Sequence, residues 1–132
     1  MIFLDSNVPM YLAGAEHPNK HTSRRILERL IAGSERLVTD AEVLQEVLHR
    51  YAAIRRREAI GPCIDALLGL ADEVFPVELE DTLQARDLVA ASERVSARDA
   101  LHVAIMRRYG VGRILTFDAG FDAVPGIERI FE

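Results

Sequence analysis

The chain has 132 residues, a formal net charge of -5 and a composition that is 49% hydrophobic and 28% charged: enough for one compact domain, too short for two, and well clear of disorder. A single cysteine, Cys63, excludes an internal disulfide and a cysteine-based zinc site and suits a reducing, cytosolic setting. The first residues, MIFLD, reach a carboxylate at position 5, so no signal peptide is expected, and no apolar run approaches the length of a membrane-crossing helix.

Taken in order, Ile2 to Leu4 read as a short buried strand. Val8 to Ala13 form a short helix with Pro9 in its first turn. Asn19 to Ala32 have helical spacing and stop at Gly33. Arg36 to Thr39 are a second strand, and Asp40 can cap a long helix running to about Glu58. Gly61 and Pro62 start another helix that ends near Ala71, followed by a third strand over Glu73 to Val77. Leu79 to Ala91 are helical, and Ser96 opens a helix to Tyr109 that Gly110 ends. Arg113 to Phe117 are a fourth strand and Arg129 to Phe131 a fifth.

No repeat, low-complexity tract or linker interrupts residues 1–132, which read as one unit. Short strands that are apolar without strict alternation suit a sheet covered on both faces. The expected architecture is a three-layer α/β/α sandwich around a mainly parallel sheet of four to five strands, with ligands gathering beyond the carboxyl ends of the strands.

Two acids fall at that edge. Asp5 follows the first strand and Asp118 the fourth, with Asp122 four residues later; each acid also has an ordinary use as a cap or turn residue. Asp99 fits a capping box with Ser96, but its helix is apolar around most of its circumference, so the acid points into or beside the core and needs an arginine or a metal as partner. Glu46 lies roughly 60° outside the apolar stripe of Val43, Leu44, Val47, Leu48, Tyr51 and Ile54, and position alone makes it a solvated residue. Two carboxylates about 5 Å apart repel by about 3 kcal/mol at an effective dielectric near 20. Four gathered together stay ionised only beside a cation, and all-oxygen ligation favours magnesium or manganese.

The strings IFLDSN, Glu46 in VLQEVLHR, Asp99 in SARDALHVAIMRR and Asp118 in ILTFDAGFD resemble the PIN domain in order and spacing over essentially the whole chain. A chain this short, with nothing attached, is similar to the VapC toxins. The resemblance implies a metal-dependent endoribonuclease that uses Mg²⁺ or Mn²⁺ and yields 5′-phosphate and 3′-hydroxyl ends. It implies an acidic quartet of Asp5, Glu46, Asp99 and Asp118. Asp5 and Asp99 would be direct metal ligands, with Glu46 and Asp118 completing the set or orienting water. Asn7 matches the polar residue after the first acid, Thr116 the hydroxyl residue before the last, and Asp122 a further acid of some members. Asp40 departs from the small or hydroxyl residue common there; it reads as a helix cap or as added charge near the metal. The implied partners are RNA, a VapB-like antitoxin that masks the site with a basic side chain, and a second copy in a homodimer. The apolar helices near Ile26 to Ile31 and Ile60 to Leu70 are core for the most part, with a groove for the antitoxin as the alternative.

The net acidity runs against a basic nucleic-acid surface, but metal-binding acids would dominate the sum while arginine patches remain. Arg55, Arg56 and Arg57 end the long helix, where cations favour its dipole, and they offer phosphate contacts, as do Arg24, Arg25, Arg107 and Arg108. His49 and His102, each three residues after an acid, read as packing or supporting residues rather than metal ligands. A di-iron bundle would use such acid–histidine pairs, but the strand-like ILTF and EVFPV segments oppose four long helices. Phosphate-accepting receivers and phosphatases need a lysine at a strand end, and the only lysine, Lys20, lies in the second helix. A PIN nuclease outside any toxin–antitoxin pair, or a non-catalytic RNA- or protein-binding PIN module, remains as an alternative.

Overall fold

A computed structural model describes residues 1–132. Five strands, β1 (Ile2–Leu4), β2 (Leu37–Asp40), β3 (Glu73–Phe75), β4 (Arg113–Leu115) and β5 (Glu128–Ile130), form one sheet in the order β3-β2-β1-β4-β5 with every neighbouring pair parallel. Six helices connect them: α1 (Asn7–Ala13), α2 (Pro18–Ala32), α3 (Ala41–Ala53), α4 (Ile60–Leu70), α5 (Leu79–Ala91) and α6 (Ala97–Arg108). None is long and apolar enough to cross a membrane.

The strand order fixes the layers. Right-handed crossovers carry the chain from β1 to β2 to β3 in one direction, and the β3–β4 crossover returns it past β2 and β1. The helices of the first two connections therefore cover one face, where α1 packs on α2 and α4 and α3 packs on α4. The α5–α6 pair covers the other. The central strand β1 is buried at all three positions, which is why its sequence is wholly apolar. Phe3, Ile26, Val38, Met106, Ile114 and Phe121 belong to the main core.

The expected strands are present with small shifts: β3 and β4 each stop two residues early, β2 begins one residue late and includes Asp40, and β5 begins one residue early. One expected element is split. The helix from Asp40 does not reach Glu58 but ends at Ala53, and Arg57–Ala59 form a short 3-10 turn before α4. Its stop is a backbone device: Arg55 adopts φ 58, its N–H reaches the Ala52 carbonyl at 3.2 Å, and the Arg56 N–H reaches that of Tyr51 at 2.8 Å. Leu48 and Ile54, expected in the apolar stripe of α3, are largely exposed. A second 3-10 turn, Ala119–Ala123, follows Asp118.

Candidate metal centre

The order in which strands are added to the sheet reverses between β1 and β4, and a crevice opens there beyond the carboxyl ends of both parallel strands. Asp5 leaves β1 at this point. Its N–H continues the ladder to the Leu115 carbonyl at 3.2 Å, and the preceding Leu4 carbonyl accepts from the Thr39 hydroxyl of β2 at 3.0 Å. Its side chain is fixed as well. Oδ2 accepts from the Thr116 hydroxyl at 2.6 Å and from the Asn7 amide at 3.4 Å, while Oδ1 accepts from the Ser6 N–H at 2.8 Å. Asn7 Nδ2 also donates to Thr116 Oγ1 at 3.0 Å, so Asn7 and Thr116 brace each other and the acid together. Thr116 in turn accepts from the Asp118 N–H at 3.0 Å, tying the end of β4 to the same cluster.

Asp5, Glu46, Asp99 and Asp118 all line one cavity of about 480 Å³, along with Ser6, Asn7, Ser96 and Arg98. The Ser96 hydroxyl accepts from the Asp99 N–H at 3.1 Å, but the reciprocal half of the expected capping box is not formed, which leaves the Asp99 carboxylate turned to the cavity. Asp118 caps the following turn through Gly120 at 2.8 Å. A side-chain carbon on Gly120 would stand 3.1 Å from Asp118 Oδ1 and 3.7 Å from Asp99 Oδ2, so glycine there lets the two acids approach.

Glu46 is buried, 6% exposed, against what its position on the helix alone implied and in keeping with the place the family resemblance gives it. The cause is His102, fully buried on α6. Its Nδ1 contacts Asp40 Oδ2 at 2.7 Å and its Nε2 contacts Glu46 Oε1. Both ring nitrogens face carboxylate oxygens, so with both carboxylates ionised both nitrogens carry protons. Burial alone would lower His102, but hydrogen bonds and charge from Asp40 and Glu46 hold it well above the usual histidine range, which favours the imidazolium. Asp5, Glu46 and His102 present atoms within 4.8 Å of one another, the spacing of a metal site. With no free lone pair, however, the imidazolium is a built-in cation and not a ligand. Asp40 is the helix cap expected of it, Oδ1 accepting from the Val43 N–H at 2.9 Å, but it does not line the acidic cavity; Oδ2 instead holds His102.

The remaining acids lack such a partner. Burial pushes the Asp5 carboxyl above its ordinary range, despite the nearby imidazolium and the Thr116 hydroxyl. Burial, then the neighbouring Asp5 and Asp118 charges, push Asp99 up to about 7. Asp5 and Asp99 resist joint ionisation, and with Asp118 they turn carboxylate oxygens to one cavity, the donor set of a hard divalent cation.

Other expected site residues lie elsewhere. Asp122 pairs with Arg129 through two contacts of 3.0 Å and is absent from the cavity. Arg55, Arg56 and Arg57 sit in the turn after α3, with Arg56 held by Glu58 at 2.6 Å. Arg108 forks onto Asp81 and Arg107 reaches the Pro125 carbonyl. His49 is exposed. Arg98, not singled out from the sequence, lines the cavity with its Nε 3.9 Å from Glu46 Oε1. Its place one residue before Asp99 was the available signal.

Residues 2–127 match the PIN domain family. The chain is 55% identical over 130 residues, 98% of its length and 99% of theirs, to VapC ribonuclease Mb1869c of Mycobacterium bovis and to ribonuclease VapC13 of Mycobacterium tuberculosis. Among solved structures, M. tuberculosis VapC20, described as a sarcin–ricin loop cleaving toxin, superposes with a TM-score of 0.77 at 23% identity, covering 97% of this chain and 98% of that one. The VapBC2 complex of Rickettsia felis, bound to a DNA fragment from its promoter, gives 0.74 at 19% identity, with 98% of each chain covered. The chain therefore belongs to the PIN-domain family and, within it, to the VapC ribonucleases.

Proposed function

We propose that residues 1–132 act as one PIN domain, a divalent-metal-dependent endoribonuclease of the cytosol and the toxin half of a VapBC-type pair. The observation that carries this reading is the convergence of Asp5, Glu46, Asp99 and Asp118 on one cavity at the sheet's switch point. Asp5 and Asp99 would hold Mg²⁺ or Mn²⁺ directly, with Asp118 and Glu46 completing the set or orienting the attacking water. When bound, such an ion makes water a stronger nucleophile and stabilises charge that develops on the phosphate. The chain's own residues do the positioning. Asn7 and Thr116 fix the Asp5 carboxylate, and His102 fixes Glu46 without competing for the ion. In-line attack at phosphorus would release a ribose 3′-oxygen, giving 5′-phosphate and 3′-hydroxyl ends.

A VapB-like antitoxin would cover this cavity with a basic side chain, the charge that its unpaired acids favour, and the chain would pair as a homodimer. The exposed Ile31 of α2 and Leu68 of α4 offer apolar contacts outside the core. Labelled RNA incubated with the purified protein tests the activity. Cutting should require Mg²⁺ or Mn²⁺ and should stop with a chelator and in Asp5→Asn and Asp99→Asn. Variants that cut at the parent rate would refute the assignment of the site.

A further inference from the structure

A second cavity, of about 400 Å³, opens beside the acidic one and shares Ser6, Asn7, Glu46 and Arg98 with it. Its chemistry is different. Met10, Tyr11, Tyr51 and Ile54 supply an apolar and aromatic wall, and Arg50 and Arg98 are the only cations that line either space. Neither arginine is hydrogen-bonded to an acid. Arg50 makes no ion pair, and Arg98 is 46% exposed with its closest carboxylate oxygen at 3.9 Å, beyond hydrogen-bond reach. By contrast, Arg36, Arg56, Arg108, Arg113 and Arg129 are bonded to acids at 2.6 to 3.0 Å. The Tyr11 ring is held in place, edge-on to Phe117 with centroids 5.4 Å apart and tilted on His17 at 4.8 Å.

We propose that the cavity walled by Met10, Tyr11, Tyr51 and Ile54, with Arg50 and Arg98 at its rim, seats one nucleotide of the RNA strand beside the bond that is cut. The inference rests on the nuclease reading and adds to it the means by which a polyanion approaches. A phosphate entering the acidic cavity meets like charge in a chain of net charge -5. Arg50, which makes no ion pair, and Arg98, only loosely paired with Glu46, supply the attraction there, and a fixed aromatic ring next to them is the usual support for an unstacked base. Sequence preference is not needed for such a seat, because every base has a flat face.

The test compares Arg50→Ala, Arg98→Ala and Tyr11→Leu with the parent. Binding of fluorescein-labelled single-stranded RNA is read by anisotropy in an Asp5→Asn background, and KM and kcat are read for cutting with Mn²⁺. Each arginine variant should weaken RNA binding and raise KM by about tenfold, with kcat within about threefold, and should lower the salt slope by about 0.7. Tyr11→Leu should weaken binding by roughly fivefold or more. Mn²⁺ affinity should not change, and Arg98→Lys should recover part of the loss. Unchanged RNA binding in all three variants would overturn the proposal. So would a loss of Mn²⁺ affinity in Arg98→Ala that accounts for its defect, or normal RNA binding with weakened binding of an antitoxin, which would make the cavity a protein-docking surface. Because binding is read apart from cutting, a parent that binds RNA but never cuts it refutes the nuclease reading while the variants still decide the nucleotide seat. A parent that does neither overturns both.

Discussion

Asp40 and Glu46, both buried, share the His102 imidazolium as their common cation. Removing that cation leaves two carboxylates in the interior facing an uncharged side chain, and uncompensated buried charge of this kind costs about 3–5 kcal/mol. We expect His102→Gln to lower the stability of the metal-free protein by about that amount in urea denaturation; an unchanged midpoint would mean that the carboxylates are satisfied in another way. The importance of this ring was only half readable. Glu46 falls outside the apolar stripe of α3, and helical periodicity reports only the face toward the helix's own core. Its burial comes from a residue 56 positions away on α6. The usable clue was His102 itself: a histidine in the middle of a helix that is apolar nearly all round must be buried and must find partners. Asp5 and Asp118 were easier to place, because a strand end followed by an acid needs only local sequence.

At the scale of elements, three helices stop in the same way. After α2, α3 and α6 the chain turns through a left-handed residue: Ser34 at φ 58, Arg55 at φ 58 and Gly110 at φ 71. Only Gly110 announces itself, since glycine adopts that conformation at little cost. An arginine there pays a steric penalty, so the end of α3 was overestimated by sequence pattern. Arg55→Gly should therefore raise stability by about 1 kcal/mol in chemical denaturation, and a destabilised variant would show that the Arg55 side chain contributes more than its backbone costs. The α5–α6 pair depends on a cross-helix fork, with Arg108 Nε and Nη2 each 2.9 Å from the buried Asp81 and Nη2 3.0 Å from the Pro76 carbonyl. Arg108→Met should cost about 3 kcal/mol by stranding Asp81, measured by the same method. Strand boundaries were off by one or two residues because the strands have three or four residues each, and a single end residue is a large share of such an element.

For the whole molecule, the strand order is the feature that brings residues 5, 46, 99 and 118 together; the alternation of strands and helices was sufficient to expect a parallel sheet with a site at its carboxyl edge, but not the order of its strands. The charge of this assembly links it to pH. In the metal-free protein Asp5 and Asp99 retain protons at pH values where the unfolded chain has released them, Asp99 up to about 7. His102 is also raised, so its contribution to stability is full below 6.5 and lost as pH rises through its folded value. In each case the folded state binds more protons than the unfolded state, so stability falls as pH rises. The acids lowered by arginine contacts, Asp81 and Asp122 among them, act in the opposite sense only near and below their ordinary value of 3.8. Between pH 5.5 and 8 the metal-free Tm should therefore decline, and Mn²⁺ should raise it more at pH 8, where it competes with fewer protons. A Tm that climbs over this range without metal would contradict the assignment of the raised groups. The most direct measurement is calorimetric titration of Mn²⁺ into the parent, Asp99→Asn and Asp5→Asn at pH 8. Saturable binding to the parent, weakened at least about tenfold in each variant, is the expected result. Equal affinity in all three proteins would contradict a shared ion between these carboxylates.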